Sequence, residues 1–261
     1  MRKNRVLITL TALSAAAVLT AALGCGGRQG RLDAAKGAEN SGKYGEAAAL
    51  YAALAVEAAP AHKLADAQKG KIMQPALWQA EIEKYSAWLT DPAPLDGTLK
   101  TALEGLDRCA PRLEPDNTAH TRQPQPLDSL PAFTARWNTA FNPPPTPNAI
   151  DWDAIVKNAF NKNFSMLQLS APINYTYDVN IISRKTSRRI NFTLYPATPD
   201  TKSQIIAPLP PGEYTMIVKS SVEFQKGQHW ESDYTGFPVI TVNDTPTLIA
   251  VDLKTRVAGR K

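Results

Sequence analysis

The spacing of apolar residues changes once along this chain, and that change limits the folds open to it. Up to about Leu113 they recur at three and four positions, as on one face of a helix; from about Asn174 they alternate, as on one face of a strand. Between the two, nine prolines fall from Pro111 to Pro147. Proline fixes φ and removes a backbone donor, so long regular elements are not expected there. The reading is an α+β chain of two domains. N-terminal α-helical hairpins with a repeat-like pattern occupy 31–113, and a proline-rich linker follows over 114–148. A short helix and an antiparallel β-sandwich fill 149–256, and a basic tail closes the chain at 257–261.

Within the first half, Tyr44, Ala47, Ala48, Tyr51, Leu54, Ala55 and Ala58 line one face of a helix over Tyr44–Ala58, punctuated by Gly42 and Pro60. Further helices are predicted over Ala76–Leu89, with Pro75 in its first turn, and over about Asp96–Cys109. In the linker, Phe133, Trp137 and Phe141 recur at four-residue spacing, which predicts a short amphipathic helix docked on a core. Asp151–Phe164 reads as another short helix. Strands are predicted at Asn174–Ile182, Ile190–Tyr195, Tyr214–Val218, Val239–Val242 and Leu248–Leu253.

The first residues have the anatomy of a secretory signal. Met1 to Arg5 is positively charged, and Val6–Leu23 is uncharged and rich in Ala, Leu and Thr. Thr9, Thr11, Ser14 and Thr20 dilute the run below what a permanent membrane span needs. Its ending, Ala22-Leu23-Gly24-Cys25, resembles the lipobox of bacterial lipoproteins, with Ala22 where Leu is usual. That resemblance implies removal of residues 1–24, a diacylglyceryl thioether on Cys25 and an amide-linked acyl chain on the new N-terminus. Residues 25–30 would then form a lipidated tether. Two or more chains anchor a protein stably, where one is marginal. Gly26, standing where Asp would retain the protein at the inner membrane, implies the outer membrane facing the periplasm. Loss of Arg2, Lys3 and Arg5 leaves 26 of the 29 basic residues against 24 acidic ones, so the formal +5 falls to +2. So small an excess gives no argument for a nucleic-acid partner. The closing Lys254, Arg256, Arg260 and Lys261 read as a solvated tail, with anionic lipid or a partner as the alternative. An acylated Cys25 leaves Cys109 without a partner in its own chain. It is then a buried inert thiol or, as the alternative, half of an intermolecular bridge.

Two further resemblances concern the body. Ala35, Ala38, Gly42, Tyr44, Ala47, Tyr51 and Pro60 together resemble a tetratricopeptide repeat. In such a repeat, small residues let two antiparallel helices approach and aromatics fill the groove between them. The resemblance implies a second unit after 34 residues, which pairs Tyr51 with Tyr85 and Pro60 with Pro94. It also implies a concave face suited to a protein partner. Leu209-Pro-Pro-Gly-Glu-Tyr214, Val239–Val242 and Thr247–Leu253 resemble transthyretin-like, carboxypeptidase-regulatory-type sandwiches. There the Pro-Pro-Gly makes a tight corner, the Tyr tucks into the sandwich, and the module binds or spaces.

Catalytic patterns are missing from the sequence. It holds no Gly-x-Ser-x-Gly elbow, no His-Glu-x-x-His helix and no phosphate-cradling glycine loop. His62, His120 and His229 lie far apart. His229, Glu231 and Asp233 would share one face of a strand, but a polar strand edge explains them more simply. The expectation is a non-enzyme without cofactor or metal. The residues singled out for ligand binding are Trp230, Tyr234 and Phe237, aromatics among polar residues that would stack on a sugar or hold a peptide if exposed. The expected role is a membrane-anchored scaffold or assembly factor for an envelope protein partner. The alternative is a lipoprotein that binds cell wall or carbohydrate, with a glycan as its ligand.

Overall fold

The computed structural model describes residues 27–64, 75–94, 96–113, 120–141, 151–170, 176–194, 203–225, 228–231, 234 and 236–253. The leader, Cys25, the prolines at 143–147, Asn174, Asp233 and the basic tail lie outside the described residues. Among the described residues the fold is α+β, with six α-helices and two mixed sheets.

The N-terminal helices pack through small residues. α1 (Arg28–Asn40) buries Leu32, Ala35 and Ala38. It ends where Gly42, at φ 74°, turns the chain and lets the Lys43 amide reach back to the Ala38 carbonyl at 2.9 Å. α2 (Tyr44–Ala58) is buried on nearly every side, from Ala47 to Ala58. A helix apolar all round belongs in a core. α1, α4 (Gly97–Cys109) and one face of the first sheet enclose it, the sheet through Ile182 and Ile217. Asp96 caps α4 by accepting from the Thr98 amide at 2.7 Å. α4 comes so close to α2 that a Cβ on Gly105 would stand 2.5 Å from the Tyr51 ring. Helix α1 takes in Arg28, Gln29 and Gly30, so the tether expected over 25–30 is shorter by those three residues. The reason is electrostatic: Arg28 pairs with Glu57 and Asp96, and Arg31 also pairs with Glu57.

α3 (Pro75–Thr90) departs from the repeat reading. Its Ile82, Tyr85 and Leu89 belong to a different hydrophobic cluster from that of α1, α2 and α4. Polar bonds hold it over the sheets instead. Tyr85 donates to the Pro208 carbonyl at 2.8 Å, and the Trp88 indole donates to the Arg189 carbonyl at 3.1 Å. The Arg188 guanidinium lies 4.0 Å above the Trp88 ring.

The first sheet runs β1 (Ala61–Lys63), β6 (Arg189–Leu194), β5 (Thr176–Ser183), β8 (Gly212–Gln225) and β10 (Val239–Val242), with β9 (Gln228–Glu231) also on β8. The second runs β2 (His120–Thr121), β11 (Thr247–Asp252), β4 (Ser165–Ser170) and β7 (Ser203–Leu209), with β3 (Gln125–Pro126) also on β11. The sequence pattern predicts antiparallel pairing in the sandwich. However, β1 runs parallel to β6 and β11 parallel to β4, because these partners come from distant segments rather than from hairpins.

Strand alternation sorts the core. Tyr177, Val179 and Ile181 of β5, and Tyr214, Met216 and Val218 of β8, join Met166, Leu167 and Leu169 of β4 and Ile249 and Val251 of β11 in one cluster. Ile182 and Ile217 project the other way, into the helical cluster. The first sheet is thus buried on both faces. The described part of the proline-rich segment, residues 120–141, packs on the sheets. Its strands β2 and β3 pair with β11, and α5 (Leu130–Phe141) places Phe133 and Trp137 in the sheet core. α6 (Trp152–Asn161) lies beside α5, with the Trp152 indole donating to Asn138 Oδ1 at 2.8 Å. Asp151 caps α6 through the Ala154 amide at 2.9 Å.

Candidate functional site

Of the three aromatics singled out from the sequence, Tyr234 and Phe237 differ in exposure. Trp230 lies on β9, opposite Val222 of β8. Tyr234 is half-buried against the helical cluster, with the Lys219 ammonium 6.0 Å from its ring centre. Phe237 is buried, 6% exposed, in the same cluster as α1, α2 and α4, so it serves packing and offers no face to a ligand. Its burial follows from the sheet's need to cover Ile217 and Ile182. His229 and Glu231 sit on β9 opposite Glu223 and Ser221. Among the described residues no group of three His, Cys, Asp or Glu converges, and no helix is long and apolar enough to cross a membrane.

Tyr51 is fully buried between α1, α2 and α4, and the first sheet closes over α2 through Ile182 and Ile217. Tyr51 donates to Glu39 Oε2 at 2.7 Å, and Arg108 grips the same carboxylate at 2.6 and 3.1 Å. Burial, together with the bond to Glu39, pushes the Tyr51 hydroxyl up to about 12. The hydrogen bonds from Arg108 hold Glu39 below its ordinary range, against the opposing effect of burial. Cys109, next in the chain, is fully buried, and burial raises its thiol to about 11. A thiol so placed is protonated at neutral pH and a poor nucleophile.

Beside β5 and β6 lies a polar group on the helix-facing side of the first sheet. Asn191 donates to Asp178 at 2.8 Å, and Arg189 donates to Asn180 at 2.7 Å and to the Ala59 carbonyl at 3.1 Å. Burial lowers the Arg189 pKa. These bonds tie the end of α2 to the sheet.

A cavity of about 810 Å³ opens elsewhere, between α3, α6 and the corner at Pro210-Pro211. Ile82 and Ala87 of α3 form one wall, and Ala154, Ile155 and Ala159 of α6 form another. Trp137, Phe164 and the two prolines also line it. The corner is rigid: Tyr214 is buried and donates to the Pro210 carbonyl at 2.7 Å. The polar residues on its lining include Glu83, Asp151 and Lys162. In the sequence the α5 aromatics, the start of α6 and the Pro-Pro corner stand as separate features. Only the fold brings them to one place. Comparison with known proteins finds no matching family model, no similar curated protein and no similar solved structure.

Proposed function

We propose that this chain is an exported bacterial lipoprotein, acylated on Cys25, that serves as a non-catalytic scaffold or assembly factor at the envelope. The observation that carries this reading is Ala22-Leu23-Gly24-Cys25, which closes a charged-then-apolar leader only three residues before α1 begins at Arg28. A chain extends at most about 3.6 Å per residue, so an anchor on Cys25 holds α1 within about 11 Å of the lipid attachment. Arg28 and Arg31, tied to Glu57 and Asp96, leave the helix little freedom at that end.

The scaffold reading draws support from stiffness. Helical layer, first sheet and second sheet are joined by two clusters that meet on opposite faces of one sheet. We read the two sheets as a β-sandwich, with Tyr214 tucked in as the transthyretin-like corner implies. Among the residues whose side chains are described, Val239 is the one large hydrophobic left exposed, at 43%. The outer faces of α1 and α4 expose Asp33, Lys36, Lys100 and Glu104. Transient interfaces are about as polar as the rest of a protein surface.

In the native host, Cys25→Ala is expected to move the protein from the membrane to the soluble fraction. Wild type and variant partitioning alike would refute the anchor. In-cell crosslinking from Lys36 and Lys100 is expected to return the same envelope protein each time, and its failure would refute the scaffold. The glycan alternative keeps Trp230 and Tyr234 and loses Phe237. It is favoured by the half-exposed Tyr234 beside Lys219, and Tyr234→Ala would have to abolish retention on purified cell wall.

A further inference from the structure

The two sheet orders end on β1, β10, β2 and β7, and three of these edges are guarded against a further strand. β1 has three residues and is met by α3, with His62 and Glu81 2.9 Å apart. β7 carries Pro208, whose carbonyl accepts from Tyr85 of α3. β2 has two residues, and Arg122 beside it pairs with Asp252 at 2.7 Å.

β10 has no such guard. Val239-Ile240-Thr241-Val242 contains no charge and no proline, and all four residues are β-branched. Among the described residues β8 is its one strand partner. The Met216 amide donates to the Pro238 carbonyl at 3.1 Å, and Val239 stands opposite Thr215. Backbone groups alternate in direction along an antiparallel strand, so Ile240 and Val242 turn theirs to β8. Val239 and Thr241 therefore turn two N–H donors and two carbonyls outward. Both side chains are exposed, Val239 at 43%.

The charges at the ends of β10 select the occupant. Glu213, opposite Thr241, and Asp244, just past Val242, are exposed at its C-terminal end. Arg184 at that end is already held by Asp107 at 2.6 and 2.8 Å. Lys219 lies past the other end, four positions beyond Thr215 on β8. An antiparallel copy of the same edge sets acidic end against basic end.

We propose that β10 is a dimerisation edge, pairing antiparallel with β10 of a second copy about a two-fold axis at Ile240. Val239 of each copy then faces Thr241 of the other, which uses all four outward groups of the strand. A four-residue strand is about 13 Å long and buries less than a permanent interface does, so the dimer is weak and a covalent trap reads it best. The pairing does not depend on acylation of Cys25.

The test uses the protein isolated from its host, Thr241→Cys and the short thiol crosslinker bis(maleimido)ethane. Thr241→Cys is expected to give about tenfold more dimer than the parent chain, whose cysteines are Cys25 and the buried Cys109. Lys157→Cys, on an exposed position of α6, reports random collision and is expected to stay at the parent level. Adding Val239→Lys, a charge at an exposed edge position, is expected to cut the Thr241→Cys dimer about fivefold. Adding Asp244→Lys instead is expected to cut it about twofold or more. A Thr241→Cys dimer no stronger than that of Lys157→Cys, or one unchanged by Val239→Lys, overturns the edge pairing. Yield unchanged by Asp244→Lys overturns the antiparallel arrangement. On intact cells, a Thr241→Cys product that joins this chain to a different protein in place of a second copy overturns the occupant.

Discussion

The helical layer and the sheet core are packed by opposite means. In the layer, Ala35, Ala47, Ala52, Ala55 and Ala102 are small enough for helices to approach until the Tyr51 ring lies on the Gly105 backbone. In the sheet core, Trp137, Tyr85, Tyr177, Phe133 and Tyr214 are large buried side chains, and beside Trp137 the elements stand far enough apart to leave the cavity. Close approach of small residues maximises contact and tolerates no insertion; bulky residues hold elements apart and leave room at their margins.

The largest expected effect tests the tight side. Tyr51→Ala removes the one large side chain that three helices close upon, and orphans part of Glu39. Truncation of a buried aromatic costs about 3–5 kcal/mol, and this site belongs at the upper end. Urea unfolding that shows a smaller loss than Ile155→Ala, beside the cavity, breaks the comparison. Gly105→Ala comes next, at about 1–3 kcal/mol, because the added methyl meets an aromatic ring locked on its far side. A stabilised Gly105→Ala, as helix propensity alone would give, contradicts the close contact.

Acid sharpens the same contrast. Arg108 and Tyr51 keep Glu39 ionised below its ordinary value of 4.5. Its contribution to stability is therefore present above that value and lost as pH falls through the lower folded value. The urea midpoint of the wild type should fall between pH 5 and pH 3 by more than that of Glu39→Gln. Equal falls would mean that the network adds nothing. The smallest effect belongs to the loose side: Ala87→Leu, facing the cavity, should change stability by no more than about 0.5 kcal/mol.

Local period was enough to place most elements. The helix read over Tyr44–Ala58 has those bounds, Asp96 and Asp151 cap the helices expected to start there, and Ile190, Phe192 and Leu194 point inward as their alternation implies. What the sequence hid is which surfaces meet. β1 has three residues, too few for a period, and it finds β6 more than a hundred positions away. The 34-residue shift pairs Tyr51 with Tyr85, yet the two sit in different cores, since a helix's apolar stripe does not say what it will cover. Tyr234 and Phe237 are close in sequence and pack on the same cluster, yet one is half-buried and the other buried, which spacing alone does not tell. The cavity is the reverse: its walls come from residues 82 to 211, each explicable locally as core, cap or turn.

Mass spectrometry of the amino-terminal peptide, recovered from the host membrane, tests the anchor most directly. The account predicts no peptide containing Gly24 joined to Cys25, and an N-terminal Cys25 carrying a diacylglyceryl thioether and an amide-linked acyl chain. An unmodified Cys25, still linked to Gly24 in the mature protein, would contradict it.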